Sequence, residues 1–164
     1  MLTDAAAEPV ADTRGKAFEA VAAYLFREVG CPVRTNLISP LGSQQIDLAV
    51  AHLGALGPLP GFFLVECKYW ERAVDSAAVG YFLNTCRDRL VQLGIIISKQ
   101  GITGDPADAT RAHSLAFGAS VSGTKLVVIK ESDLLAITSD GDFVTMLIEA
   151  WMGAAATGGV GTVP

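Results

Sequence analysis

Residues 62–70, Phe-Phe-Leu-Val-Glu-Cys-Lys-Tyr-Trp, constrain this chain more than any other segment, because an otherwise apolar run places an acid and a base two positions apart. A run of this length, with Phe and Val at its centre, reads as a central strand. Successive side chains on a strand point to opposite faces, so Glu66 and Lys68 emerge on the same one. Burying a carboxylate and an ammonium costs several kcal/mol unless they are paired with each other or with a metal and its ligand. A plain ion pair on a wet strand is the simpler alternative. The flanking Phe62, Phe63, Leu64 and Val65 argue against a wet strand.

Asp47 interrupts a second alternating segment, 44–52, in the same way. Ile46, Leu48 and Val50 share one face, and Gln45, Asp47 and Ala49 the other. If the two strands are neighbours, Asp47 and Glu66 converge. A divalent cation is the usual means of keeping two adjacent carboxylates ionised at neutral pH, and oxygen-only ligands favour Mg²⁺ or Mn²⁺ over zinc. Lys68 beside that centre suits phosphodiester hydrolysis, which needs an activated water and positive charge on the transition state.

The surrounding pattern describes one domain. The apolar residues Phe18, Val21, Ala22, Leu25, Phe26 and Val29 recur at helical spacing up to Gly30, with Asp12 or Thr13 as a cap. Glu19 borders this stripe beside the small Ala22 and Ala23, from where it can reach inward to orient water or Lys68. Residues 33–39 and 44–52 suggest a hairpin, 54–61 a loop, and Val79, Phe82, Leu83, Cys86 and Leu90 a second helix. Ile95-Ile96-Ile97 reads as a doubly covered strand. Asp105-Pro106 opens a third helix as cap and first-turn residue, 126–129 is the last strand, and 132–137 and 142–152 are closing helices. The expected fold class is α/β, a mixed sheet with helices on both faces. Residues 1–12 and 153–164, rich in Ala and Gly, read as flexible tails around a domain spanning 13–152.

The order of these motifs resembles the PD-(D/E)XK nuclease superfamily: a helical Glu19, then Gln45-Ile46-Asp47 on one strand and Val65-Glu66-Cys67-Lys68 on the next. Within it, the chain is most similar to restriction-endonuclease-like domains related to Mrr. The likeness continues through Gly94-Ile95-Ile96-Ile97-Ser98 and Leu126-Val127-Val128-Ile129, and covers about residues 14–137. It implies an αβββαβ core, Mg²⁺ (with Mn²⁺ substituting) held by Asp47 and Glu66, Lys68 acting at the scissile phosphate, Glu19 assisting, and Gln45 as an auxiliary polar residue. The implied activity is a DNA endonuclease of restriction, defence or repair type, with RNA left open as substrate. The alternative is a catalytically inactive nuclease-fold module that binds nucleic acid or protein.

Other features bound this reading. The formal net charge of −5, from 12 basic and 17 acidic residues, predicts weak affinity for free DNA. Three scattered cysteines suggest neither a disulfide framework nor zinc spacing, and no run is long and apolar enough for a membrane, so a cytoplasmic protein is expected. His52 and His113 read as structural or exposed. Tyr69 and Trp70 read first as core-closing aromatics, with base stacking as their other use. The apolar segment 143–152 offers a surface for a homodimer, and a separate targeting subunit would supply the base reading that no motif here provides.

Overall fold

The computed structural model describes residues 11–39, 42, 44–104 and 111–164. A first helix, α1 (Ala11–Glu28), precedes three strands, β1 (Val33–Ile38), β2 (Gln45–Ala51) and β3 (Phe62–Lys68). Helix α2 (Ser76–Asp88), strand β4 (Leu93–Ser98), helix α3 (Ala112–Val121) and strand β5 (Lys125–Lys130) follow. The short α4 (Glu131–Leu135), the long α5 (Asp140–Thr157) and the strand β6 (Val160–Thr162) complete the chain. The strands form a single sheet in the order β1-β2-β3-β4-β5-β6, antiparallel across the first three and parallel thereafter. This is the mixed α/β architecture that the αβββαβ pattern implied.

Two contacts assign the faces. Gly94 on β4 lies against Phe82 and Cys86 of α2, and it pairs with Leu64 of β3, so Leu64, Glu66 and Lys68 look towards α2. Phe63, one residue out of phase, meets Phe26 of α1 at a ring separation of 5.6 Å, and Phe26 meets Phe143 of α5 at 5.1 Å. Helices α1 and α5 therefore cover the opposite face. Strand β4 runs between both layers, and all six of its residues are buried.

Helix α1 buries Phe18, Val21, Ala22 and Phe26, the stripe that its spacing predicts. It ends where Gly30 takes a φ of +81° and the Cys31 amide donates back to the Phe26 carbonyl, a turn in which glycine avoids the Cβ clash of the left-handed region. The helix already includes Asp12 and Thr13, so neither is its cap; the expected tail at 1–10 lies outside the described residues. The expected helix start at Asp105-Pro106 also lies outside them.

The C-terminal expectation needs correction. Residues 153–164 are not a loose tail: α5 continues to Thr157, Gly158 turns the chain at a φ of +71°, and β6 pairs parallel with β5. Ala150 and Ala154 are fully buried, and Gly161 sits so close to α5 that a Cβ there would collide with the Ala150 carbonyl. Small side chains permit this approach of helix to strand. Phe143, Met146 and Leu147 face the same core, whereas Met152 of the same segment is exposed.

Candidate active site

Strands β2 and β3 pair from Ala51↔Phe62 to Leu48↔Val65, and the next step of that register sets Asp47 opposite Glu66. There the ladder stops. The Asp47 carboxylate takes over the role of a backbone partner: its Oδ2 accepts a hydrogen bond from the Cys67 amide at 2.8 Å. On the other side of β2, Asn36 stands opposite Asp47 and has a φ of +52°, a conformation that asparagine tolerates better than most residues. Asp47 thus occupies a notch in the sheet, with both neighbouring ladders interrupted.

The notch opens into a cleft of about 400 Å³ lined by Glu19, Gln45, Asp47, Glu66, Lys68 and Trp70, with Ala78 and Tyr81 of α2 closing its far side. All five residues singled out from the sequence reach this one space. Asp47 is 6% exposed, whereas Gln45 lies at the open rim. Lys68 Nζ stands 2.6 Å from Glu66 Oε1, with both side chains largely covered. Glu19 comes from α1, on the other side of the sheet, and enters where β2 and β3 part; it also lines an adjoining recess with Asn36 and Trp70.

Burial and mutual repulsion govern the charges. Loss of water raises the carboxyl pKa of Asp47 above its ordinary value, partly offset by the Cys67 amide and by Lys68. Burial and then the Asp47 charge raise that of Glu66, with Lys68 opposing, and burial followed by Asp47 likewise raises that of Glu19. Burial works against the Lys68 ammonium, but the charge and hydrogen bond of Glu66, with Asp47 behind it, outweigh this and leave its pKa raised. Three acids held against their preference around one cation form a cluster short of positive charge.

This donor set fits a hard dication. Asp47 keeps Oδ1 free of the Cys67 bond and Glu66 offers a carboxylate beside it, while among the described residues no three His, Cys, Asp or Glu side chains gather as a closed metal cage. Two carboxylates are oxygen donors of the kind that a hard divalent cation takes.

The other polar candidates have structural explanations. His52 Nε2 donates to the carbonyls of Leu59 and Pro60, and its Nδ1 accepts from the Gly54 amide, which ties down the loop after β2. Ser98 Oγ accepts from the Gly101 amide, and Lys99 pairs with Glu71 at 2.7 Å. Tyr69 packs on Phe18 and donates to Glu131, as a core-closing aromatic should. Trp70 departs from that expectation by lining the cleft. Two lining residues, Asn36 and Tyr81, escaped the sequence reading. Tyr81 had a detectable signal, a large aromatic next to but off the buried stripe Val79, Phe82, Leu83 and Cys86; the backbone of Asn36 had none.

Comparison with known proteins identifies the family. The restriction endonuclease family of the Mrr catalytic type matches residues 10–130, and the chain belongs to that family. None of the curated proteins matches it. A solved structure, the crystal structure of a protein of unknown function, AF1548, is similar at 19% identity and a TM-score of 0.45 over 67% of this chain. The chain spans 55% of the length of that protein.

Proposed function

We propose that this protein is a divalent-metal-dependent nuclease that hydrolyses phosphodiester bonds in DNA, with Mg²⁺ as the resident ion and Mn²⁺ as a substitute. The observation that carries this reading is the meeting of Asp47 with Glu66 and Lys68, which follow it by 19 and 21 residues, in one cleft at the end of a shared strand register. In a member of a restriction endonuclease family, that constellation is suited to one reaction class.

Asp47 and Glu66 would hold the dication, which supplies Lewis acidity at the phosphate and lowers the pKa of water. The protein's own groups do the rest. A water oxygen adds to phosphorus as the water gives up one proton, one phosphorus–oxygen ester bond breaks, and a proton passes to the departing oxygen. Lys68, kept protonated by Glu66, places its ammonium against the charge that grows on the non-bridging oxygens. Glu19 orients the attacking water or Lys68 from across the fork, and Gln45 holds the rim by hydrogen bonding. The Asp47 bond to the Cys67 amide fixes its carboxylate in advance, so little reorganisation accompanies the reaction.

Plasmid, linear, single-stranded and RNA substrates incubated with Mg²⁺ or Mn²⁺ test this directly. Cleavage is expected with the native protein. Asp47→Ala and Lys68→Ala should each lose on the order of a hundredfold or more in rate, with circular dichroism unchanged. Undiminished cleavage by either folded variant refutes the assignment. Absence of both cleavage and a metal isotherm would instead support the inactive-module alternative, which the acidic net charge favours.

A further inference from the structure

Trp70 is a poor use of a core aromatic. It packs only partly against the core, lines both the acidic cleft and the recess beside it, and has two cations over its ring: Lys68 Nζ at 5.8 Å and Arg72 Cζ at 5.5 Å from the centroid. Across the cleft stands Tyr81, 49% exposed on α2. The loop bearing Trp70 is fastened down, with the Val74 amide bonded to Gly101, Thr103 bonded to Val74, and Lys99 paired with Glu71. An indole that lines the cleft from a fastened loop, with one cation of the reaction centre and one outside it over its ring, can exchange those cations for a base and leave each of them a phosphate to hold.

We propose that Trp70 stacks on the base next to the scissile phosphate, with Arg72 holding the following phosphate, so that the cleft takes an unpaired DNA strand in preference to an intact duplex. This rests on the nuclease reading of the same cleft. In a B-form duplex the bases are stacked on each other and their faces are closed to a protein aromatic; only a single strand or an extruded nucleotide presents one. Trp70 and Tyr81 both line the cleft, and a chain with a net charge of −5 has little overall attraction for the dense charge of a duplex. Arg72 is available for this role: its side chain is 73% exposed, and its contact with Asp75 at 3.3 Å is a surface pair that costs little to exchange. Stacking is indifferent to base identity, so the contact would not depend on the sequence of the strand.

The test measures binding without chemistry, in EDTA, with a short oligothymidylate, a blunt duplex of equal length and an oligouridylate. Trp151→Phe serves as the background, so that the remaining indole emission comes from Trp70. The single DNA strand should quench that emission and bind at least about tenfold tighter than the duplex, since every stacked base contributes a comparable gain. Trp70→Ala should weaken binding roughly five- to hundredfold, Trp70→Phe should retain most of it, and Arg72→Glu should weaken it severalfold. Equal affinity for strand and duplex overturns the proposal, as does tighter binding of oligouridylate. Unchanged affinity in Trp70→Ala does the same. Should Trp70→Ala fail to fold, Arg72→Glu at its exposed site decides, and unaltered binding there overturns it. The nuclease reading is judged separately: duplex cleavage without strand preference would sink this inference alone, and strand binding without cleavage in Mg²⁺ would sink the other.

Discussion

Glu19, Asp47 and Glu66 lose water on folding and are brought close enough to repel one another, while Lys68 supplies a single compensating charge. Each of these acids therefore binds its proton more tightly in the folded chain than in the unfolded one. The stability that follows is fully present below the ordinary carboxyl range and is lost as pH rises through the raised values. Glu19 offers the cleanest measurement, because it contributes to the repulsion without pairing directly to Lys68. In metal-free protein, Glu19→Gln should melt at a higher temperature than the native chain at neutral pH and at the same temperature near the ordinary carboxyl pKa of about 4. A gap that does not change with pH would show that repulsion in the cleft is not its origin. Mg²⁺ at neutral pH should raise the melting temperature of the native chain by mass action and leave Asp47→Asn unmoved.

Among the elements, α5 and β6 depend most on the absence of side chains. Gly161 rests against the backbone of Ala150, and Ala154 fills the remaining gap, so the last strand joins the sheet only because glycine and alanine let it approach. Gly161→Ala should cost about 1–3 kcal/mol through overpacking, read as a lower urea midpoint. Loss of hydrogen-exchange protection should be confined to β6 and its pairing with β5. Unchanged protection there would mean that the helix has room to retreat. The start of α5 is held independently, by Ser139 accepting from the Asp142 amide and by the Asp142 carboxylate accepting from the amides of Thr138 and Ser139. Its beginning and its end thus rest on unrelated devices.

For the molecule as a whole, charge sets the terms of substrate binding. Acids outnumber bases by 17 to 12, and the cations that border the cleft are few. Binding of a single strand should therefore depend only mildly on salt, with log affinity falling against log salt at a slope of about −2, as two or three phosphate contacts require. A titration between low and physiological salt measures it, and a much steeper slope would reveal a basic surface that the cleft does not account for. Among the described residues no helix is long and apolar enough to cross a membrane. On α5, Phe143, Met146, Leu147 and Ala150 are buried in the core, while Met152 is 54% exposed.

Periodicity and misplaced charge picked out in advance the residues that line the cleft. Alternation along β2 and β3 determined that Glu66 and Lys68 share a face and that Asp47 and Gln45 share another, and the apolar runs determined that these charges would be shielded from water. Those are local rules, and they apply whatever surrounds the strand. The meeting of Asp47 with the Cys67 amide, the approach of Glu19 to the cleft, and the placing of Trp70 along it arose only from the packed sheet. So did the ordered C-terminus. Alanine and glycine carry no pattern of their own: the same residues give a loose end when nothing lies opposite and a close helix–strand contact when α5 does. Which of these obtains is decided by partners distant along the chain, and no local reading of residues 153–164 contains them.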